Sequence, residues 1–174
     1  MSNKQTLGSD QPDVDLARFG VRDVAPRARD AARIAVIGAQ FNHGIVDRLI
    51  EGALAALEDH GVAPDSITLV RVPGAWELPQ AARAIAHGGR ADAIVALGCV
   101  IRGETSHFDV IVNESARGLM QVACDSGIPI TNGVLACENE AQALARAGGA
   151  EGNKGAEAAL AALEMASLCA WASA

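Results

Sequence analysis

The nine residues AIVALGCVI at positions 93–101 contain no charged, hydroxyl or amide side chain, and they run directly into the polar stretch RGETSH at 102–107. An apolar run of this length without polar alternation is typical of a strand that is covered on both faces of a parallel sheet. The polar stretch lies where such a strand would end. The segment therefore predicts both the class of fold and one edge of the sheet at which a ligand would bind.

Apolar strands and amphipathic helices alternate on both sides of this segment. Three further apolar runs predict strands, at 33–38, 66–72 and 128–135. Apolar residues spaced three and four apart predict helices at 45–60, 78–87 and from residue 108, with two closing helices at about 139–147 and 155–174. This order predicts an α/β fold, a three-layer α/β/α sandwich with a four-stranded parallel sheet in flavodoxin-like order. Ligands would then bind in the loops after residues 38, 72, 101 and 135.

Length and charge limit the remaining possibilities. The 174 residues suit one domain, which we expect at 33–174, preceded by a polar arm at 1–32 that is flexible or docked on a neighbouring subunit. The net charge is −7 and Lys and Arg form no cluster, so nucleic-acid binding is not expected. No apolar stretch reaches the roughly 18 residues of a membrane span, and no secretory signal is recognised. We expect a cytoplasmic protein.

No cofactor or metal site is expected. The four cysteines form no C-x-x-C pair, and Cys99 and Cys169 lie in apolar runs that predict buried thiols. The first loop, GAQFNHG at 38–44, lacks the G-x-G-x-x-G spacing of dinucleotide sites. The glycine-rich segment RAGGAEGNKG at 146–155 does not contain the G-x-x-x-x-G-K-[ST] pattern of a phosphate loop.

Each of the first two loops carries one side chain with two possible roles. Phe41 is an aromatic residue in a polar turn, where it could fold back over the core or offer a flat face to a planar ring. In VPGAWELP at 72–79, Gly74 and Ala75 leave backbone N–H groups uncovered. Glu77 could cap the next helix or accept hydrogen bonds from ligand hydroxyls. Exposed amides beside one carboxylate would suit a polyol.

The third loop leads into a helix start, which favours an anion. Free N–H groups and the positive end of the helix dipole meet there, and Thr105 and Ser106 add hydroxyls. His107 in the first turn could be a plain surface residue or, beside a phosphate, a general acid/base. Lys154 is the only lysine outside the predicted arm, which leaves a Schiff-base enzyme as an alternative.

Together these loops resemble the lumazine synthase family, over about residues 33–168. The motifs that carry the resemblance are Phe41–Asn42, VPGAWELP at 72–79, LGCVIRGETSHFD at 97–109 and RAGGAEGNKG at 146–155. The resemblance implies a cofactor-free condensation of 5-amino-6-(D-ribitylamino)uracil with 3,4-dihydroxy-2-butanone 4-phosphate, giving 6,7-dimethyl-8-ribityllumazine, phosphate and water. Because the substrate supplies the amine, no enzymic lysine is needed as a nucleophile.

The resemblance also implies a role for each matching residue. His107 would transfer protons, Glu104 (by its backbone), Thr105 and Arg146 would bind the phosphate, and the rest of the substrates would be held by Phe41, Asn42, Gly74, Ala75, Trp76, Glu77, Cys99, Val100, Ile101, Asn132 and Lys154. Phe41 would stack on the uracil, Ala75 and Glu77 would hold the ribityl chain, and Val100 and Ile101 would meet the pyrimidine edge. Asn132 stands where many members carry an aromatic, which argues against a two-sided aromatic sandwich.

The resemblance further implies a homo-oligomer built from pentamers, with sites between subunits. A neighbouring subunit would supply the region of Asn132, with Arg146 and Lys154. Some members assemble into a hollow icosahedral shell, and riboflavin synthase is a candidate partner. A non-catalytic flavin or lumazine binder and a purely shell-forming protein remain as alternatives. His107, Thr105 and Arg146 favour an enzyme, because a binder needs neither proton-transfer nor phosphate-binding groups.

Overall fold

The computed structural model describes residues 32–173, so the predicted arm, apart from its last residue, lies outside the described part of the chain. The strands and helices follow one another as β1 (Ile34–Ala39), α1 (His43–Asp59), β2 (Ile67–Val72), α2 (Leu78–His87), β3 (Ala93–Ile101), α3 (His107–Ser126), β4 (Ile130–Cys137), α4 (Glu140–Arg146), β5 (Ala147–Gly149), β6 (Gly152–Asn153) and α5 (Lys154–Ala172). Single 3₁₀ turns precede β2 at Pro64–Ser66 and α2 at Ala75–Glu77.

The main sheet has the strand order β2-β1-β3-β4, and all three neighbouring pairs are parallel. This confirms the predicted three-layer α/β/α fold and its flavodoxin-like order. The chain leaves β1 toward β2 on one side and then crosses back to β3 on the other. A crevice therefore opens beyond the carboxyl ends of β1 and β3, where the direction of the winding changes.

Two apolar clusters, one on each face of the sheet, form the core. One joins β1 and β3 to α1 and α5, with Ala143 of α4 beside them, and the other joins the same strands to α2 and α3. Every residue of β1 is buried. Alanine supplies much of the helix surface in both clusters, and small side chains let helices lie close to the sheet. No helix within residues 32–173 is both long enough and apolar enough to cross a membrane.

The edge strands differ from their predictions. β4 begins at Ile130 rather than 128, because Pro129 has no N–H for the ladder and instead accepts from Ile94 N at 2.8 Å. On the edge strand β2, Leu69 is 46% exposed. Coverage of both faces, predicted for all strands, is complete only for β1 and nearly so for β3.

The prediction of a buried Cys169 was wrong, since this thiol is only half-buried.

Helices α1 and α5 approach each other unusually closely at two glycines. A Cβ atom on Gly155 would lie 2.0 Å from the carbonyl oxygen of Leu49, and one on Gly52 would overlap the side chain of Asn153. Because backbone occupies the space beside Gly155, no side-chain rotation could make room there. Glycine at 155 is thus required by packing, and the glycine-rich segment before α5 forms the β5–β6 hairpin that the sequence did not predict.

Candidate active site

A cavity of about 440 Å³ opens beyond the carboxyl ends of β1 and β3, where the crevice was predicted. Its walls come from the loops after β1, β2 and β3 and from the first turns of α3. The lining residues are Phe41, Pro73, Gly74, Ala75, Trp76, Glu77, Cys99, Val100, Ile101, Gly103, Thr105, His107, Phe108 and Ile111. Most of the predicted site residues therefore gather in one place, whereas Asn42 and Glu104 are not part of this lining.

Phe41 lies exposed at the mouth of this cavity. Its loop is joined to the loop after β2 by two backbone hydrogen bonds, from Gln40 N to the Val72 carbonyl at 2.8 Å and from Phe41 N to the Pro73 carbonyl at 3.0 Å. Phe41 is 71% exposed, so the alternative in which its ring covers the core is wrong. A flat aromatic face on a tethered loop is suited to stacking with a planar ring.

Asn42 connects the Phe41 loop to the start of α1 and to β3. It adopts a left-handed backbone (φ 58°), which asparagine tolerates better than most residues, and its carbonyl accepts from Ile45 N and Val46 N at the start of α1. Its Nδ2 donates to the Cys99 carbonyl at 2.9 Å. The side chain therefore ties the Phe41 loop to β3, a role that the sequence did not predict.

Glu77 faces the cavity without a partner. It stands at the start of α2 but forms no capping hydrogen bond, and among residues 32–173 no side chain or backbone N–H donates to its carboxylate. Gly74 leaves room for it, since a Cβ there would come within 3.3 Å of Glu77 Oε2. The capping alternative is thus wrong, and the half-buried carboxylate is available to hydroxyl groups of a ligand.

The start of α3 forms the wall that favours an anion. Ser106 at the helix N-terminus makes no side-chain capping bond. Asp109 N donates to the Ser106 carbonyl at 3.0 Å and His107 N has a long contact of 3.4 Å to Thr105 Oγ1, so Phe108 N is the N–H group of this turn that no other residue among 32–173 accepts from. His107 is exposed and lies beside this N–H group in the lining. Among residues 32–173, no Lys or Arg side chain belongs to this lining. These lining residues therefore offer a phosphate dianion a helix start but no cationic side chain.

The Cys99 thiol in the cavity lining does not act as a nucleophile. Burial raises the pKa of the Cys99 thiol to about 12, and nearby Cys137 adds a smaller repulsion in the same direction. The thiol is therefore neutral near pH 7 and acts as an apolar wall rather than as a nucleophile. Within the described residues, no group of three His, Cys, Asp or Glu side chains is placed to hold a metal ion.

The remaining predicted residues lie in a second cavity of about 510 Å³, which shares no lining residue with the first. It runs along β4 and the start of α5 and includes Asn132, Arg146 and Lys154. Arg146 Nη1 donates to the Gln142 carbonyl at 3.1 Å, and no Asp or Glu among residues 32–173 forms an ion pair with it. Lys154 Nζ is paired with Glu157 at 2.6 Å. This cavity thus holds the cations that the first one lacks.

Asn153 fixes the position of Lys154. Its Oδ1 accepts from Gly155 N at 2.9 Å and from Ala156 N at 3.2 Å, which caps α5. Its Nδ2 donates to the Arg48 carbonyl at 2.8 Å and so joins the helix start to α1. Asparagine immediately before a helix is a recognised start signal, so this role could have been predicted from the sequence.

Asn132 is also engaged within its own chain. It lies on the exposed side of β4, and its Oδ1 accepts from Val134 N at 3.0 Å. Along β4 the backbone groups of every second residue face β3, and the bonds accepted by the carbonyls of Pro129 and Cys137 show that these are the odd-numbered residues. Val134 N therefore points toward the open edge of the sheet, and the Asn132 amide covers it. No group among residues 32–173 accepts a hydrogen bond from its Nδ2.

Comparison with known proteins gives one consistent result. The sequence model of the 6,7-dimethyl-8-ribityllumazine synthase family matches residues 31–170. A protein of that name from Xanthomonas campestris pv. campestris (strain B100) is 51% identical over 137 residues, covering 79% of this chain and 89% of its own length. Proteins of the same name from Gemmatimonas aurantiaca and Halorhodospira halophila are each 52% identical, covering 78% and 79% of this chain and 83% and 88% of their own lengths.

Proposed function

Because the chain belongs to the 6,7-dimethyl-8-ribityllumazine synthase family, we propose that its two cavities are halves of one active site, joined between neighbouring copies. The enzyme condenses 5-amino-6-(D-ribitylamino)uracil with 3,4-dihydroxy-2-butanone 4-phosphate, in the penultimate step of riboflavin biosynthesis. The observation that carries the two-half proposal is the separation of charges. The first cavity offers an aromatic face, a carboxylate and a helix start, while the cations Arg146 and Lys154 line the second.

In the first half the uracil ring lies on Phe41, and the hydroxyls of the ribityl chain donate to Glu77 and accept from the backbone at Gly74 and Ala75. The pyrimidine edge meets the backbone at Val100 and Ile101. The phosphate lies at the N-terminus of α3, held by Thr105 and by backbone N–H groups near Glu104. Each of these groups is already oriented by the loops and helices described above, so binding places the two reactants close together with little further ordering.

In the second half a neighbouring copy brings Arg146 to the phosphate and Lys154 to the substrate. A heterologous contact of this kind, repeated around a closed ring, gives every chain one of each half. This supports a ring-shaped oligomer, and the family resemblance implies that the ring has five subunits. The four cysteines, which are all unpaired, support a reducing compartment such as the cytoplasm.

His107 transfers protons while phosphate leaves and the ring closes. Its imidazole stands at the helix start that holds the phosphate, where a general acid/base can reach the leaving group. We expect His107→Ala to lower kcat by at least about tenfold, because general acid–base catalysis contributes about 10²–10⁴-fold and water or the phosphate can substitute in part.

The His107→Ala measurement requires conditions in which chemistry limits the rate, and light scattering must first show an unchanged oligomer. Residual activity above the uncatalysed reaction is expected, since Phe41, Glu77 and Arg146 still position the substrates. An unaltered kcat in a correctly assembled His107→Ala enzyme would make this histidine a plain surface residue.

Phe41→Ala is expected to weaken binding of the uracil substrate by more than the value of stacking alone, about 0.5–1.5 kcal/mol, because buried area is lost as well. Phe41→Trp should keep the flat face and be tolerated. Titration with the uracil substrate, or with riboflavin-like analogues, measures the effect. Because the ring makes up little of the core, the melting temperature should hardly move. A lower melting temperature with unchanged KM would contradict the stacking role.

A further inference from the structure

We propose that Arg102 is a positioning residue for the reaction, and that it holds His107 and the Thr105 helix start in their working orientation. The proposal rests on the function given above, because it concerns the same wall of the first cavity. Arg102 follows β3 and precedes the loop 103–106 that leads into α3. Its own side chain is not part of the cavity lining.

The guanidinium of Arg102 connects the two ends of this loop. Its Nη1 and Nη2 donate to the two carboxylate oxygens of Asp109, at 3.2 and 3.1 Å. Asp109 lies in the first turn of α3, two residues after His107. The forked geometry of arginine fixes the direction of a carboxylate as well as its distance, which a lysine ammonium cannot do. The end of β3 and the first turn of α3 are thereby held at one relative orientation.

The same side chain is anchored in two other directions. Its Nε donates to Glu138, just after β4, at 2.9 and 3.1 Å to the two oxygens. The guanidinium carbon also lies 4.1 Å from the ring centre of Phe108, the residue next to His107 and itself part of the cavity wall. Arg102 N donates to the Cys137 carbonyl at 2.9 Å. Asp109, Glu138 and Phe108 thus all contact one guanidinium, beside the turn that carries His107.

Arg102 is engaged in a way that does not suit direct phosphate binding. Both edges of its guanidinium that carry donors face carboxylates, so an anion would have to displace Asp109 or Glu138. These ion pairs are substantially exposed, and exposed pairs add little to stability, about 0–1 kcal/mol. Their loss should therefore change orientation much more than the free energy of unfolding. This difference separates a positioning role from a structural one.

Arg102→Lys, which keeps the charge but loses the fork, tests the proposal in the assembled enzyme. We expect kcat to fall roughly tenfold, since a misplacement of about 1 Å can cost about 100-fold and the loop is only loosened. KM for the butanone phosphate should rise, and KM for the uracil substrate should stay unchanged. Asp109→Asn should move kcat and KM in the same directions. If Arg102 instead contacted the phosphate, Asp109→Asn would free the guanidinium and lower that KM, which would overturn the proposal.

The matched control is Arg33→Lys. Arg33 forms a similar forked pair with Asp92, with Nη2 to Oδ1 at 3.0 Å, but at the amino end of the sheet, away from the cavity. Its loss should lower the melting temperature about as much as Arg102→Lys does, with kcat and both KM values unchanged. If Arg33→Lys and Arg102→Lys reduced activity equally, the effect would be a general loss of stability and the positioning role would be wrong.

A double-mutant cycle with His107→Ala then shows whether Arg102 acts through the histidine. Arg102→Lys should lower kcat much less in the His107→Ala background than in the native enzyme, because the oriented group is already missing. Fully additive losses in kcat would overturn the proposal. If His107→Ala lowers kcat but Arg102→Lys and Asp109→Asn do not, the inference fails while the function of His107 stands. If His107→Ala itself has no effect, both fail.

Discussion

Arg146→Ala is expected to raise KM for 3,4-dihydroxy-2-butanone 4-phosphate by about 10- to 150-fold and to leave KM for the uracil substrate nearly unchanged. A charge-assisted contact to phosphate is worth about 1.5–3 kcal/mol, which sets this range. Arg146 forms no ion pair with an acidic residue among residues 32–173, so its charge is not already neutralised in the chain. Steady-state kinetics with each substrate varied in turn measures the effect. Equal changes for both substrates would show that Arg146 does not bind the phosphate.

The same variant also tests whether a site is shared between chains. His107 and Arg146 line different cavities of one chain. An Arg146→Ala chain therefore keeps a native first half, and a His107→Ala chain keeps a native second half. Where two such chains meet, their native halves can form one complete site. When the two variants are unfolded together in equal amounts and reassembled, about a quarter of the interfaces should hold two native halves and recover native kinetics. The two variants mixed without reassembly are the control. No recovery after verified mixed assembly would place each site within one chain.

Gly155→Ala is expected to destabilise the folded chain by about 3 kcal/mol or more, roughly 150-fold in the ratio of folded to unfolded molecules. The added Cβ would lie 2.0 Å from the Leu49 carbonyl oxygen, and the nearby atoms of Leu49 are also backbone. Either α1 or α5 must therefore move as a whole. Since Lys154 is the first residue of α5, activity should fall together with stability.

Urea unfolding monitored by circular dichroism measures this loss, and Gly44→Ala is its control. Gly44 lies in the first turn of α1, and a Cβ there would meet no heavy atom within 4 Å. Alanine in a helix is favoured over glycine by up to about 1 kcal/mol, so this variant should be as stable as the native protein or slightly more so. An unfolding midpoint for Gly155→Ala equal to that of Gly44→Ala would contradict the close approach.

The elements with strong local signals could be predicted from the sequence, and those set by neighbours could not. Helix α2 lies at the predicted 78–87, because a proline near its start and two glycines after its end mark both boundaries. Strand β3 lies at the predicted 93–101, because its apolar run is bounded by polar residues on both sides. The β5–β6 hairpin was missed, since strands of two or three residues show no alternation that a pattern can detect.

The residues of the site also fall into those that the sequence could predict and those that it could not. Its loops and most of its residues could be identified from the carboxyl ends of the strands and from the family motifs. The sequence left two roles open for Phe41 and Glu77, and only the exposure of Phe41 and the missing capping bond exclude core covering and helix capping. Asn42 and Arg102 act through long-range partners, the Cys99 carbonyl and Glu138, which no local pattern brings together. Their roles depend on the tertiary structure.

The Asn132 amide on the edge of β4 has a consequence for contacts between separate molecules. An unpaired edge strand is a template on which strands of other molecules can add, and this is a common start of aggregation. The Oδ1 of Asn132 occupies the outward N–H of Val134, so an incoming strand would have to displace it to continue a regular ladder. Asn132 thus hinders the addition of a strand from another molecule at the middle of this edge. The same amide is one of the groups that line the cavity with Arg146 and Lys154, so a substitution of Asn132 would alter both the protection of this edge and the wall of that cavity.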